Sequence, residues 1–198
     1  PFALALMSHK KKILYQKIFK FLRDNFKITP RRFMCDYEAS LRIAAKTTWN
    51  NCEILGCWFH YTQAITRKMK SIHELALLRN NNYAAMICFK LFMNLPLLPQ
   101  NKIQEGFEEI ISFQEENNFK DTFEIFNNYF VQNWLSSLTS YENIIHRTNN
   151  VNESFNAKIK RKIGRRPSTF KFLGKLTNLI QLKYHQIFNF SATSGAGS

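Results

Sequence analysis

Short apolar runs alternate with helix-like stretches over the first 72 residues of the chain. Residues 1–7 have the unbroken apolar character of a strand buried on both faces, residues 32–35 are a second short apolar run, and residues 52–57 are a third strand candidate. The stretches between and after them repeat apolar side chains at helical spacing, at residues 9–26, 38–48 and 61–72. Strands that alternate with helices predict an α/β fold built on a sheet.

The rest of the chain has a different pattern. From residue 74 to residue 140, Phe, Leu and Ile recur in helix-like segments without a convincing strand, which predicts an all-helical insertion. Further helices are predicted at residues 150–163 and 168–188. The predicted organisation is a first part of the core at 1–72, the insertion at 73–147, a core helix and a C-terminal helix at 148–190, and a flexible tail or cloning remnant at 191–198.

The beginning of the chain is unusual for a mature protein. It starts with Pro1 and not with Met, and no basic region precedes its apolar residues as it would in a signal peptide. Residues 1–7 therefore fit a buried strand better than a targeting segment. We expect that the sequence was cut from a longer protein and that further residues precede it.

The charge balance predicts a polyanionic partner. The formal net charge is +14, from 28 Lys and Arg against 14 Asp and Glu, and nucleic acid is the favoured partner. An anionic membrane surface is the alternative, but no basic amphipathic helix stands out, and no apolar run approaches the roughly 18 residues that span a bilayer. The four irregularly spaced cysteines indicate a reducing compartment, the nucleus or the cytoplasm.

Asp36 is the first candidate site residue. It follows the apolar run that ends at Cys35 and precedes a predicted helix, which places its carboxylate at the carboxyl end of a strand. Open α/β sheets build their sites at this edge, and a carboxylate there suits a metal ion. The alternative is that Asp36 caps the helix that follows, since Asp is a favoured cap residue.

Glu153 is the second candidate. It lies near the start of a predicted helix and points away from the apolar stripe of that helix, on the same face as Asn156 and Lys160. This arrangement suits a solvent-open site that faces phosphates. The alternative is a capping box, with Asn150 as the cap and Glu153 three residues later reaching back to it.

Cys57 and His60 have a spacing that can share a metal ion, and Cys52 lies close in sequence. Three ligands do not make a closed structural zinc site, and no fourth ligand is obvious, so zinc is not expected. The alternative is a buried Cys beside a hydrogen-bonded His.

Two groups of basic residues are candidates for DNA contacts. The first follows Glu153 on the same helix and just beyond it, at Lys158, Lys160, Arg161, Lys162, Arg165 and Arg166. These residues would neutralise phosphates, although a solvated helix face or a nuclear-localisation patch explains them equally well. The second, weaker group is a polar stripe at helical spacing that comprises His60, Gln63, Arg67 and Lys70.

Taken in order, these motifs resemble the Mutator-like (MULE) family of DNA transposases. The family has a strand and helix, then a strand followed by Asp, then Gly-Cys-x-Phe-His, a helical insertion, and a helix with Thr-Asn-Asn-x-x-Glu. The matching segments here are 1–7 with Lys10 and Tyr15, Asp36-Tyr37-Glu38, Gly56-Cys57-Trp58-Phe59-His60 with Gln63-Ala64, and Thr148-Asn149-Asn150 with Glu153 and Asn156. Any one motif is weak, but the ordered set covers residues 1–165 and is specific.

The resemblance implies a ribonuclease-H-like mixed sheet with flanking helices, an all-helical insertion and missing first strands. It also implies metal-dependent DNA cleavage and strand transfer in the nucleus. Asp36 and Glu153 then correspond to the second and third acidic residues of a catalytic Asp-Asp-Glu triad, and Cys57 and His60 to the family's Cys-x-x-His motif.

In such a site, carboxylates hold a pair of Mg²⁺ or Mn²⁺ ions. The first Asp of the triad would precede Pro1, so this chain alone is not expected to cleave DNA. A non-catalytic, transposon-derived DNA-binding or regulatory protein remains the alternative function, and homo-oligomerisation of the full-length protein remains open.

Overall fold

The computed structural model describes residues 5, 7–145, 147–148, 150–164, 167–168, 170–178 and 181, with the backbone alone for 150–153. The chain divides into two compact units, residues 5–149 and residues 150–198 together with 1–4. In chain order the elements of the first unit are α1 (Lys12–Phe26), β1 (Arg32–Cys35), α2 (Ala39–Thr48), β2 (Glu53–Gly56), α3 (Trp58–Lys70), α4 (His73–Asn81), α5 (Tyr83–Asn94), α6 (Ile103–Glu116) and α7 (Lys120–Asn133). Short 3-10 turns lie at Leu95–Leu97, Gln100–Lys102 and Leu135–Ser137.

Strands β1 and β2 form a parallel pair, with helix α2 as the crossover that parallel strands require. The register pairs Arg32 with Glu53 and continues to Cys35 with Gly56. One more ladder bond follows, because the Cys57 N–H donates to the Cys35 carbonyl at 2.9 Å. The carboxyl ends of both strands therefore lie at one edge.

A small core joins α1, α2 and the strands. Ala44 and Ala45 of α2 are fully buried, and their small side chains let α1 approach closely enough for Phe19 to pack on Trp49, with ring centroids 4.7 Å apart. The indole Nε1–H of Trp49 donates to the Ile28 carbonyl at 2.9 Å, so the buried polar atom of this ring is satisfied.

A larger, aromatic core lies among helices α3 to α7. Phe119 at the N-cap of α7 and Phe123, Phe126 and Phe130 within it recur at helical spacing and are all buried. Phe92 of α5 meets the rings of Phe126 and Phe130 edge-on, with centroids 4.8 and 5.1 Å apart. Edge-to-face contacts of this kind add to the free energy gained by burying the rings.

Two amides lie buried inside this aromatic core. Gln114 of α6 and Asn127 of α7 exchange hydrogen bonds: the Asn127 amide donates to Gln114 Oε1 at 2.7 Å, and the Gln114 amide donates to Asn127 Oδ1 at 3.3 Å. The Gln114 amide also lies 3.4 Å from the Cys88 sulfur. Each amide thus satisfies the other where water is excluded, and the pair sets the alignment of α6 against α7.

The second unit contains α8 (Asn150–Ile163) and a helical stretch at residues 170–178. Gly164 follows α8 with a φ of 88°, a left-handed conformation that suits glycine, and its N–H donates to the Lys160 carbonyl. The Lys175 ammonium donates to the Ile163 carbonyl at 3.3 Å and so links the helical stretch to the end of α8.

The prediction of a ribonuclease-H-like mixed sheet with flanking helices and an all-helical insertion is wrong. The part of the chain that the structure describes contains two parallel strands of four residues each, and its other regular elements are helical. The further strands of such a sheet were implied by the resemblance alone, because the apolar pattern after Gly56 follows the helical period and is buried as helix stripes. The strand predicted at residues 1–7 lies largely outside the described residues, and Ala5 and Met7 have no regular structure.

Several local predictions within this wrong architecture are confirmed. The helix predicted at residues 9–26 is α1, the two later strand candidates are β1 and β2, and the helix predicted at 150–163 is α8. The stripe Tyr61, Ile65, Met69 and Ile72 is buried as predicted.

The buried amide pair predicts a double-mutant effect. Gln114→Leu leaves the Asn127 amide buried without its partner, so we expect the free energy of unfolding in urea to fall by about 1–3 kcal/mol. The double variant Gln114→Leu/Asn127→Leu removes both polar groups and is expected to be more stable than the single variant. Gln132→Leu, an exposed position on α7, is the matched control. Additive decreases would show that the two amides do not act as a pair.

Candidate functional site

The carboxyl ends of β1 and β2 bring separate sequence motifs together. Asp36 follows β1 directly, and its side chain is 49% exposed. His60 lies in the first turn of α3, which begins one residue after Cys57 at the end of β2. Asp36 Oδ1 and His60 Nδ1 are 3.0 Å apart, which is within ion-pair distance for an imidazolium and a carboxylate.

Asp36 does not cap the helix that follows it. The N-cap position of α2 is Glu38, and no side chain makes a capping hydrogen bond there. The carboxylate of Asp36 is instead directed to the imidazole of His60.

A second polar group lies near Asp36 and consists of Tyr15, Glu38 and Lys10. The Lys10 ammonium lies 3.2 Å from Glu38 Oε2, and the Tyr15 phenol lies near enough to Glu38 for this carboxylate to affect its pKa. Burial raises the pKa of Tyr15 to about 12, and the hydrogen bond to Glu38 and the negative charges of Glu38 and Asp36 add to the effect. The shift shows that both carboxylates act on one phenol at the strand ends.

Tyr37 anchors the segment between the two carboxylates. Its ring packs so closely on Gly56 that a Cβ there would overlap it. Tyr37 Oη lies 3.3 Å from Tyr141 Oη, and the Tyr141 hydroxyl donates to the Gly56 carbonyl. Burial is the main cause of a raised pKa at both phenols, so both stay neutral hydrogen-bonding groups.

Helix α3 is fixed to the aromatic core on one side and exposed on the other. The Tyr61 hydroxyl donates to the Phe92 carbonyl at 2.6 Å, and the Trp58 indole donates to the Met93 carbonyl at 3.0 Å. On the opposite face, Gln63, Arg67 and Lys70 are exposed, as the predicted polar stripe requires. His60 is at the start of this stripe, beside Asp36.

The cysteines of the site are buried thiols. Cys35 and Cys57 are 4% and 0% exposed and lie at the paired ends of the strands. Burial raises the pKa of the Cys35 thiol to about 11. Within the described residues, no group of three or more His, Cys, Asp or Glu side chains is arranged to bind a metal ion.

The remaining predicted site residues lie in the second unit. Glu153 is in the first turns of α8, but its side chain lies outside the described residues, as do Arg165 and Arg166. The other four residues of the predicted DNA-binding group are exposed on α8, at Lys158, Lys160, Arg161 and Lys162. The structure thus brings Asp36 and His60 together and leaves the pairing of Asp36 with Glu153 as a prediction.

Comparison with models of known protein families, with characterised proteins and with solved structures finds no match to this chain. Among the described helices, none combines the length and the apolar character needed to cross a bilayer.

The phenol of Tyr15 provides a direct test of the polar group at the strand ends. In a carbon-13 NMR titration of labelled tyrosine, we expect Tyr15 to titrate near pH 12 and its pKa to fall in Glu38→Gln, which removes the charge beside the phenol. Asp36→Asn is expected to lower the pKa less, because Asp36 acts through its charge alone.

Glu124→Gln, an exposed change on α7, should leave the Tyr15 titration unchanged. Because the pKa in the folded protein exceeds the usual 10.0, the protonated phenol favours the folded state in full below pH 10, and this contribution disappears as the pH rises to about 12. An unchanged pKa in Glu38→Gln would contradict the hydrogen bond.

Proposed function

We propose that this chain is part of a MULE-type DNA transposase that acts in the nucleus and catalyses metal-dependent DNA cleavage and strand transfer. In this proposal, Asp36 is a metal ligand and the exposed basic residues hold the DNA backbone. The observation that carries the proposal is the position of Asp36. Its half-exposed carboxylate lies at the end of a strand, 3.0 Å from His60 of the Gly-Cys-x-Phe-His motif.

Asp36 fits one position of a Mg²⁺ or Mn²⁺ site. These ions prefer oxygen ligands, and Asp36 supplies a carboxylate directly after β1, whose pairing with β2 limits the movement of the backbone there. When bound, such a metal pair activates the attacking oxygen and stabilises the leaving one. His60 lies beside Asp36 in this site, while Glu38 forms an ion pair with Lys10.

The charge distribution supports DNA as the partner. The net charge is +14, and the cations of α8 and of the α3 stripe are exposed. Lys160, Arg161 and Lys162 occupy the last turn of α8, where cations interact favourably with the helix dipole and remain available to phosphates.

A paramagnetic titration tests the metal ligand. Adding Mn²⁺ to the nitrogen-15-labelled chain is expected to broaden the amide signals of residues near Asp36 and His60, because the bound ion relaxes nearby nuclei. Asp36→Asn keeps the shape of the side chain but weakens ion binding, so this broadening should disappear.

The control is Asp121→Asn, an exposed aspartate in the first turn of α7. Nonspecific binding would broaden the glutamate-rich helix α6 equally in all variants. If broadening near Asp36 is absent, or persists in Asp36→Asn, Asp36 is not a metal ligand and the catalytic part of the proposal is wrong. DNA binding without this metal site would favour the non-catalytic DNA-binding protein.

Salt dependence tests the DNA contacts of α8. We expect the chain to bind duplex DNA with little sequence preference and with an affinity that falls steeply as salt rises. Changing Lys160, Arg161 and Lys162 to Ala should reduce the slope of log affinity against log salt by about 0.9 for each phosphate that α8 no longer neutralises.

A variant with Lys17, Lys20 and Lys90 changed to Ala removes the same charge from exposed positions on α1 and α5. Fluorescence anisotropy with a labelled duplex measures both slopes. Equal slopes in the two triple variants would mean that only net charge matters, and the assignment of α8 to DNA would fail.

A further inference from the structure

A cleft between α2 and α7 is lined by aromatic residues and one arginine, of which only Tyr37 belongs to a sequence motif. Its volume is about 450 Å³, and its lining is Tyr37, Ala39, Arg42, Ile43, Tyr129, Asn133, Trp134 and Ser137. Three aromatic rings, an amide and a hydroxyl thus surround one cation. No carboxylate is in this lining, although the described part of the chain has acidic residues on most helices.

Arg42 is the unusual member of this lining. Its Nη1 is buried and makes no hydrogen bond, and the guanidinium makes no ion pair with any residue that the structure describes. The guanidinium carbon lies 5.2 Å from the centroid of the Tyr37 ring, which holds the group in place from one side. A buried donor without an acceptor is costly, and a positioned guanidinium is suited to bidentate binding of phosphate.

The cationic surface continues along α2. A second cleft of about 380 Å³ is lined by Arg42, Ile43, Lys46 and Ile54, so Arg42 belongs to both clefts. Lys46 lies one helical turn after Arg42 and is exposed. The lining of this second cleft also contains no carboxylate. Arg42 and Lys46 thus place two cations one turn apart on one helix, with Glu38 one turn before Arg42 but outside both cleft linings, and such a pair suits successive phosphates of a nucleic-acid backbone.

We propose that the cleft between α2 and α7 binds an unpaired nucleotide of a DNA strand, with its phosphate on Arg42 and its sugar and base against the wall of Tyr129 and Trp134. Concave aromatic surfaces beside cations are typical of single-strand binding sites, because every base offers an apolar face. The proposal deepens the proposed function and rests on it only for the choice of DNA as the ligand.

The test compares Arg42→Met, Arg42→Lys and the wild-type chain in binding a fluorescein-labelled oligothymidylate. Arg42→Met should weaken binding roughly tenfold, since it removes charged hydrogen bonds, and should reduce the salt slope by about 0.7 for the one single-strand phosphate that is no longer neutralised. Arg42→Lys should keep the slope and bind with intermediate affinity, because it retains the charge without the planar guanidinium. Lys90→Met, an exposed change on α5, is the matched control.

An NMR measurement on the unaltered chain covers the case in which Arg42→Met does not fold. The Nε–Hε signal of Arg42 should shift and saturate with the oligothymidylate at the affinity found by anisotropy. An Arg42 signal that does not move, or Arg42 variants that bind like Lys90→Met, would overturn the proposal.

Three further ligands identify the source of the phosphate. The affinity for a duplex of the same length should depend less on Arg42 than the affinity for the single strand does. Inorganic phosphate and thymidine monophosphate should displace the labelled oligothymidylate only at much higher concentrations. Dependence on Arg42 with the duplex alone, or equal competition by free phosphate, would overturn the assignment to an unpaired nucleotide. The Arg42 measurements do not depend on the Mn²⁺ site or on DNA binding by α8. The nucleotide proposal and the transposase proposal can therefore be contradicted independently.

Discussion

The contact of Tyr37 with Gly56 and Tyr141 joins the two cores of the first unit. Tyr37 begins the crossover between the strands, and its ring packs on the last residue of β2 at a position that only glycine allows. Its hydroxyl and that of Tyr141 form a chain that ends on the Gly56 carbonyl. Trp134, at the end of α7, packs edge-on against both Tyr37 and Tyr61. The orientation of α3, and with it the position of His60 relative to Asp36, depends on this contact.

Local structure was predictable from the sequence because it depends on local pattern. The short apolar run at residues 33–35 lies in a strand, and the spacing of Tyr61, Ile65 and Met69 marks the buried face of a helix. The position of Asp36 at a strand end followed from the same reasoning. Architecture was not predictable in this way, because the number of strands that pair in a sheet depends on contacts between distant segments.

The surroundings of the site also escaped the sequence reasoning. Tyr15 and Glu38 meet only because α1 packs on α2, and no spacing within one element connects residues 23 positions apart. No motif in the sequence marks Arg42. It became a candidate only because α7 places Tyr129 and Asn133 in the same cleft. Charge spacing offers no signal for Arg42 either, because Glu38 lies four positions earlier, at the spacing of an ordinary helical ion pair.

The buried thiol of Cys35 can report when the strand pair opens transiently. With a pKa of about 11, the thiol outweighs the reactive thiolate by roughly a thousandfold at pH 8. The side chain is also shielded from solvent by the packing around β1. An alkylating reagent therefore reaches it chiefly during transient separation of the strands, and the labelling rate reports the free energy of that fluctuation without any engineered probe.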